Sequence, residues 1–135
     1  MKTIVAGYDE SEPSKRALVR AAELARVFGA KVIVTSVAPV IRGRGIGPVD
    51  PVDPPERHRE ELQHAQALLA DHGIEGELDL ALGDPADHIV RLAQTRQADL
   101  VVVGSRELHL VERLLGLSVS GTVHRKAHCD VLIVH

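Results

Sequence analysis

The chain has 135 residues, 44% of them hydrophobic and 26% charged, with a formal net charge of −3, which suits one soluble domain built on one core. Aromatic residues make up only 1%; with no stacking platform and no basic footprint, nucleic-acid binding is not expected. Cys129 is the only cysteine, so an internal disulfide and a cysteine zinc site are excluded, and no apolar run reaches the roughly 18 residues of a membrane span.

In chain order, "TIVAGY" is apolar and β-branched and reads as a buried strand. The chain leads from Met1 straight into it with no signal peptide visible, and the single cysteine fits a reducing cytoplasm, the expected location. Ala17, Leu18, Ala21, Ala25 and Phe28 recur at helical spacing, and Gly29 stops that helix. "KVIVTSV" is a second strand. "VIRGRGIGPVDPVDPP" is too rich in glycine and proline for either element, so 41–58 is expected to be a long loop within the domain. A second helix is expected from about Glu56 to His72, with Leu62, Leu68 and Leu69 inward and Gly73 at its end.

"GELDLAL" alternates polar and apolar residues, as a strand near a sheet edge does. In "GDPADHIVRLAQ", Asp84 suits the cap, Pro85 the first helical position and Asp87 the positive end of the dipole. "ADLVVVGS" is apolar on both faces and therefore a central strand. A last helix is expected over Ser118–Ala127, and "DVLIVH" is a last strand. This alternation gives a single α/β domain over 1–135, with a mostly parallel sheet and helices on both faces.

"IVAGYDESEPSKRAL", "GDPADHIVRLAQTRQADLVVVGSR" and "LSVSGTVHRKAHCDVLIV" together resemble the universal stress protein family, over nearly the whole chain outside the 41–60 loop. The resemblance implies an open five-stranded parallel sheet of Rossmann-like, adenine nucleotide alpha hydrolase-like type. It also implies an adenine-nucleotide site in some members (ATP, AMP or a cyclic form, with Mg²⁺ if ATP), and dimerisation in most.

Asp9 follows the first strand, and ligands of open α/β sheets sit beyond the carboxyl ends of strands. The resemblance implies that the acid at Asp9 contacts the nucleoside and the backbone at Val37 the adenine. The competing reading is that Asp9 orders the turn before Ser11, that Ser11 caps the helix and that Val37 is only core. For phosphates, the nucleotide-binding branch shows a glycine, two residues, a glycine, nine residues, a glycine and then Ser or Thr.

Gly104 fits the first position and Ser118 the hydroxyl, with Ser120 following. The second glycine falls on Glu107 and the third on Leu117, with Gly116 one residue early. A carboxylate ~4 Å from a phosphate, at an effective dielectric of about 20, costs on the order of 4 kcal/mol. That favours fewer phosphates or a cyclic nucleotide. Arg106 and Arg113 are nearby cations; Arg42 and Arg44, in the long loop, read as solvated.

His124 and His128 are four apart, but no third metal ligand is evident. No nucleophile–base–acid order is visible, so no catalytic residue is assigned and at most weak ATP hydrolysis is expected. "AGYDES" also lacks the Ser-Gly-Gly loop of adenylating enzymes. If the last strand is a sheet edge, its unpaired backbone needs cover. The resemblance implies a two-fold homodimer through Val131, Leu132, Ile133 and Val134. The alternative function is a ligand-free homodimeric interaction module of the same fold, favoured by Glu107 and Leu117.

Overall fold

A computed structural model describes the backbone of residues 1–38, 40–41, 50–51, 55–105 and 128–135. Strand β1 is Thr3–Gly7, with Ile4, Val5 and Ala6 fully buried. Helix α1, Glu12–Phe28, begins at Ser11, whose Oγ accepts the N–H of Ser14 at 3.3 Å. It ends at Gly29, which takes the left-handed φ of 66° that a β-carbon disfavours. Ala17, Leu18, Ala21, Ala22 and Ala25 face the sheet. Phe28 does not: it is 54% exposed, because the helix has by then reached the start of β2, where Lys31 is itself exposed.

The elements that follow are β2 (Lys31–Ala38), β3 (Val40–Ile41), β4 (Asp50–Pro51), α2 (Pro55–Asp71), β5 (Glu77–Leu82), α3 (Pro85–Thr95), β6 (Leu100–Gly104) and β7 (Asp130–Val134). The expected loop over 41–58 narrows among the described residues. Val40–Ile41 pairs antiparallel with Asp50–Pro51, and α2 has begun by Pro55, a residue tolerated in a first helical turn. Helix α3 starts as its sequence requires, with Asp84 accepting the N–H of Asp87 at 2.9 Å. The helix expected over Ser118–Ala127 lies outside the described residues.

The five long strands form one open sheet in the order β5-β2-β1-β6-β7, every pairing parallel. Alternation along each strand feeds two cores. Ile4, Ala6, Val32, Val34 and Val102 meet α1 and α2, while Val5, Ile33, Val101 and Val103 meet α3 through Ala86, Ile89 and Ala93. Burial on both faces is why β1, β2 and β6 read as unbroken apolar runs. At the edges, β5 alternates as expected, and β7 turns Leu132 and Val134 to one core and Val131 and Ile133 to the other.

Candidate functional site

The chain leaves β1 toward β2 and leaves β6 toward β7, in opposite directions along the sheet. A crevice opens at such a switch point, beyond the carboxyl ends of the two adjacent strands. Asp9 follows β1 there, and Gly104 is the last residue of β6. Beside them runs the end of β2. Thr35 C=O accepts the N–H of Tyr8 and Ala38 C=O accepts the N–H of Gly83, each at 3.0 Å. Backbone groups alternate sides along a strand. Val37, two residues after Thr35, therefore turns its N–H and C=O toward β1's side, past the point where β1 has turned away. Asp9, Val37 and Gly104 are thus brought to one end of the sheet.

Asp9 and Gly104 also have structural roles. Asp9 Oδ1 accepts the N–H of Ser11 at 2.9 Å, and the Asp9 N–H donates to Ser14 Oγ at 3.3 Å, so this acid orders the turn into α1. Ser11 takes the capping role expected of it. A β-carbon on Gly104 would lie 2.7 Å from Pro13 C and Ser14 N, so the backbone of α1 demands this glycine without any ligand. Glu10 holds a left-handed φ of 65°, a strain of about 1–3 kcal/mol of the kind that gathers at functional loops. Its carboxylate accepts a hydrogen bond from His64 Nδ1 of α2.

Several polar side chains near this end escaped the sequence reading. On the α2 face, Ser36 Oγ lies 2.8 Å from His58 Nδ1 and 3.3 Å from Glu61 Oε2, all three residues buried. Glu61 Oε2 also lies 3.3 Å from that same His58 Nδ1, so hydroxyl and acid share one ring nitrogen and this is no nucleophile–base–acid relay. Burial pushes the Glu61 carboxyl above its ordinary range, against the pull of His58 and Ser36. On the α3 face, Asp79 Oδ2 accepts from Thr35 Oγ1 at 2.7 Å and from His88 Nε2 at 2.6 Å. Tyr8 is 4% exposed, and its phenol is pushed up to about 12 by burial and then by Glu10, Glu61, Asp9 and Glu12. The spacing 58, 62, 65, 69 along α2 was the available signal, a buried stripe that starts on a histidine.

Arg106, Glu107, Gly116, Leu117, Ser118 and Ser120 lie outside the described residues, as do Arg42, Arg44, Arg113 and His124. Among the described residues no cluster of His, Cys, Asp and Glu could hold a metal, and no helix is long and apolar enough to cross a membrane. A cavity of about 430 Å³ lies around Cys129, Ala98 and Val90, at the amino ends of β6 and β7 and away from the switch point. Burial, with Asp130 and Asp99, raises the Cys129 thiol and leaves it a poor nucleophile.

The pattern that defines the universal stress protein family matches residues 1–135. The chain is 30% identical to the stress response protein NhaX of Bacillus subtilis, over 97% of this chain and 96% of that protein. Among solved structures it is similar to a universal stress protein in complex with cAMP, at 30% identity and a TM-score of 0.70, over 99% of this chain and 97% of that one. It is also similar to the universal stress protein of Archaeoglobus fulgidus in complex with dAMP, at 27% identity and a TM-score of 0.74, over 100% and 98%.

Proposed function

The chain belongs to the universal stress protein family, and we propose that it acts as a stress-response module that binds an adenine nucleotide across the carboxyl ends of β1, β2 and β6. The observation that carries this is the convergence of Asp9, the Val37 backbone and Gly104 at the switch point. A residue's N–H and C=O present one donor and one acceptor. Adenine answers with an acceptor at N1 and a donor at N6; guanine presents the reverse. Asp9 would accept from a ribose hydroxyl while keeping its bond to Ser11, since a carboxylate has several lone-pair sites. Gly104 would start the phosphate segment that continues through Arg106, Gly116, Ser118 and Ser120.

A single phosphate suits this segment better than three. Glu107 stands where the family pattern has its second glycine, and the two solved relatives described above hold cAMP and dAMP. If ATP were the ligand, it would bring Mg²⁺, whose positive charge would offset the repulsion between Glu107 and the phosphates. No residue is assigned to catalysis.

The test is to purify the protein without nucleotide, denature it, and identify what is released; a near-stoichiometric adenine nucleotide is expected. Asp9→Ala should then weaken AMP binding by about tenfold or more in calorimetry, the loss of a charged hydrogen bond. A chain that carries nothing and gives no heat with AMP, cAMP or ATP with Mg²⁺ would return the ligand-free module as the function.

We further propose a homodimer through the outer backbone edge of β7, Val131–Val134. The side chains of these residues pack on the two faces of the sheet, so pairing would run through main-chain groups.

A further inference from the structure

The end of β2 is built in an unusual way for a segment that must hold a ligand. The β1 ladder stops at Gly7 opposite Thr35, with one last bond from Tyr8. Beyond that point residues 36–38 pair only with β5, itself the sheet edge. A two-stranded overhang of this kind is soft on its own. Yet the two residues before Val37 are both hydroxylated and 1% exposed, in a strand whose other positions between Lys31 and Ala38 are all Val or Ile.

Adjacent residues face opposite sides of the sheet. Thr35 donates toward α3, to Asp79 Oδ2 at 2.7 Å, and the same oxygen takes the Nε2–H of His88. Ser36 faces α2. A carboxylate only accepts, so Ser36 Oγ donates to Glu61 Oε2 at 3.3 Å, and His58 Nδ1–H donates to Ser36 Oγ at 2.8 Å. Ser36 Oγ is therefore held directly by a histidine and an acid, and Thr35 Oγ1 by an acid that a histidine holds in turn, one such group on each face. The helices contribute one histidine each, from α3 and from α2. The two clamps grip the strand immediately before the residue whose N–H and C=O face the crevice.

We propose that Thr35–Asp79–His88 and Ser36–His58–Glu61 are positioning groups that fix the Val37 backbone for base recognition. This rests on the adenine-nucleotide reading above. The clamps act through Val37 and touch no ligand, so their loss should weaken recognition of the base while sparing that of the sugar phosphate.

The test is the pair Thr35→Val and Ser36→Ala in one chain. Both changes fit the available space, and each leaves the acid beside its histidine, so the fold is retained. The Ala38 amide, on the β5 side of the overhang, should exchange with deuterium about tenfold faster in the ligand-free variant, while those of Val5 and Val102 in mid-sheet stay as in the parent. AMP should bind about tenfold more weakly, and ribose 5-phosphate as before. Thr35→Ser, which keeps the hydroxyl, should restore its half of the effect. Unchanged exchange at Ala38 overturns the proposal, as does an equal loss for AMP and ribose 5-phosphate. If the parent chain binds no AMP, the nucleotide reading falls with the base-recognition role, and exchange at Ala38 alone decides whether the clamps hold the strand.

Discussion

Tyr8 is the only tyrosine in a chain without tryptophan, so its ionisation is readable by ultraviolet absorbance alone. It leaves β1 beside Asp9, and its buried phenol stands among carboxylates that hold it protonated up to about 12. The folded state binds this proton more tightly than the unfolded chain, with its ordinary 10.0. The stabilisation is complete below 10 and is lost as pH rises through the folded value. The native chain should give one titration near 12 and the urea-unfolded chain one near 10; a native midpoint at the ordinary value would mean that Tyr8 is open to water. Gly104 makes the complementary case. Its hydrogen atom faces the backbone of Pro13 and Ser14, which cannot move like the end of a side chain. Gly104→Ala should cost about 1–3 kcal/mol in the denaturant midpoint of the nucleotide-free protein.

At the scale of the element, α2 docks on the sheet through a stripe that changes character along its length. Leu62, Ala65 and Leu69 are apolar and buried, whereas His58 and Glu61 at the amino-terminal end are buried and polar. An acid raised by burial contributes stability that is present below its unfolded value and lost as pH rises through the folded one. For Glu61 the window therefore opens at 4.5 and extends upward. Glu61→Gln keeps the acceptor and removes the titration. Relative to the parent, this variant should gain stability from about pH 4 upward and then level off, in denaturant melts run between about pH 4 and 8. A relative loss would mean that the attraction of His58 outweighs burial.

At the scale of the whole molecule, the sheet has two edges with different treatment. Strand β5 carries Glu77, which pairs with Lys31 at 3.8 Å and Arg96 at 2.6 Å, so charge guards that side. Strand β7 is half-buried and apolar along Val131–Val134, flanked by Asp130, with Arg16 of α1 donating to the His135 carbonyl at 2.7 Å. If β7 pairs with its copy, sedimentation should give twice the 14.6 kDa of one chain, with a mass that falls on dilution. A monomer at every concentration would leave this edge to another partner.

Short-range chemistry made much of the fold legible in the residues themselves. Unbroken apolar runs marked the strands covered on both faces, alternation marked β5 as an edge, and Ser11 and Asp84 with Pro85 marked helix starts. These signals act within one turn or one pleat, so the sequence carries them openly. Phe28 shows their limit: its helical spacing is right, but where the sheet ends is not a local property. The site was half legible for the same reason. Asp9 and Gly104 stand at strand ends and could be named as candidates. That α1 demands the glycine, that Val37 faces past the end of β1, and that Ser36 and Thr35 find partners 22 and 44 residues away are settled only when distant segments pack together. Periodicity reports which face a residue takes; tertiary packing alone decides what it meets there.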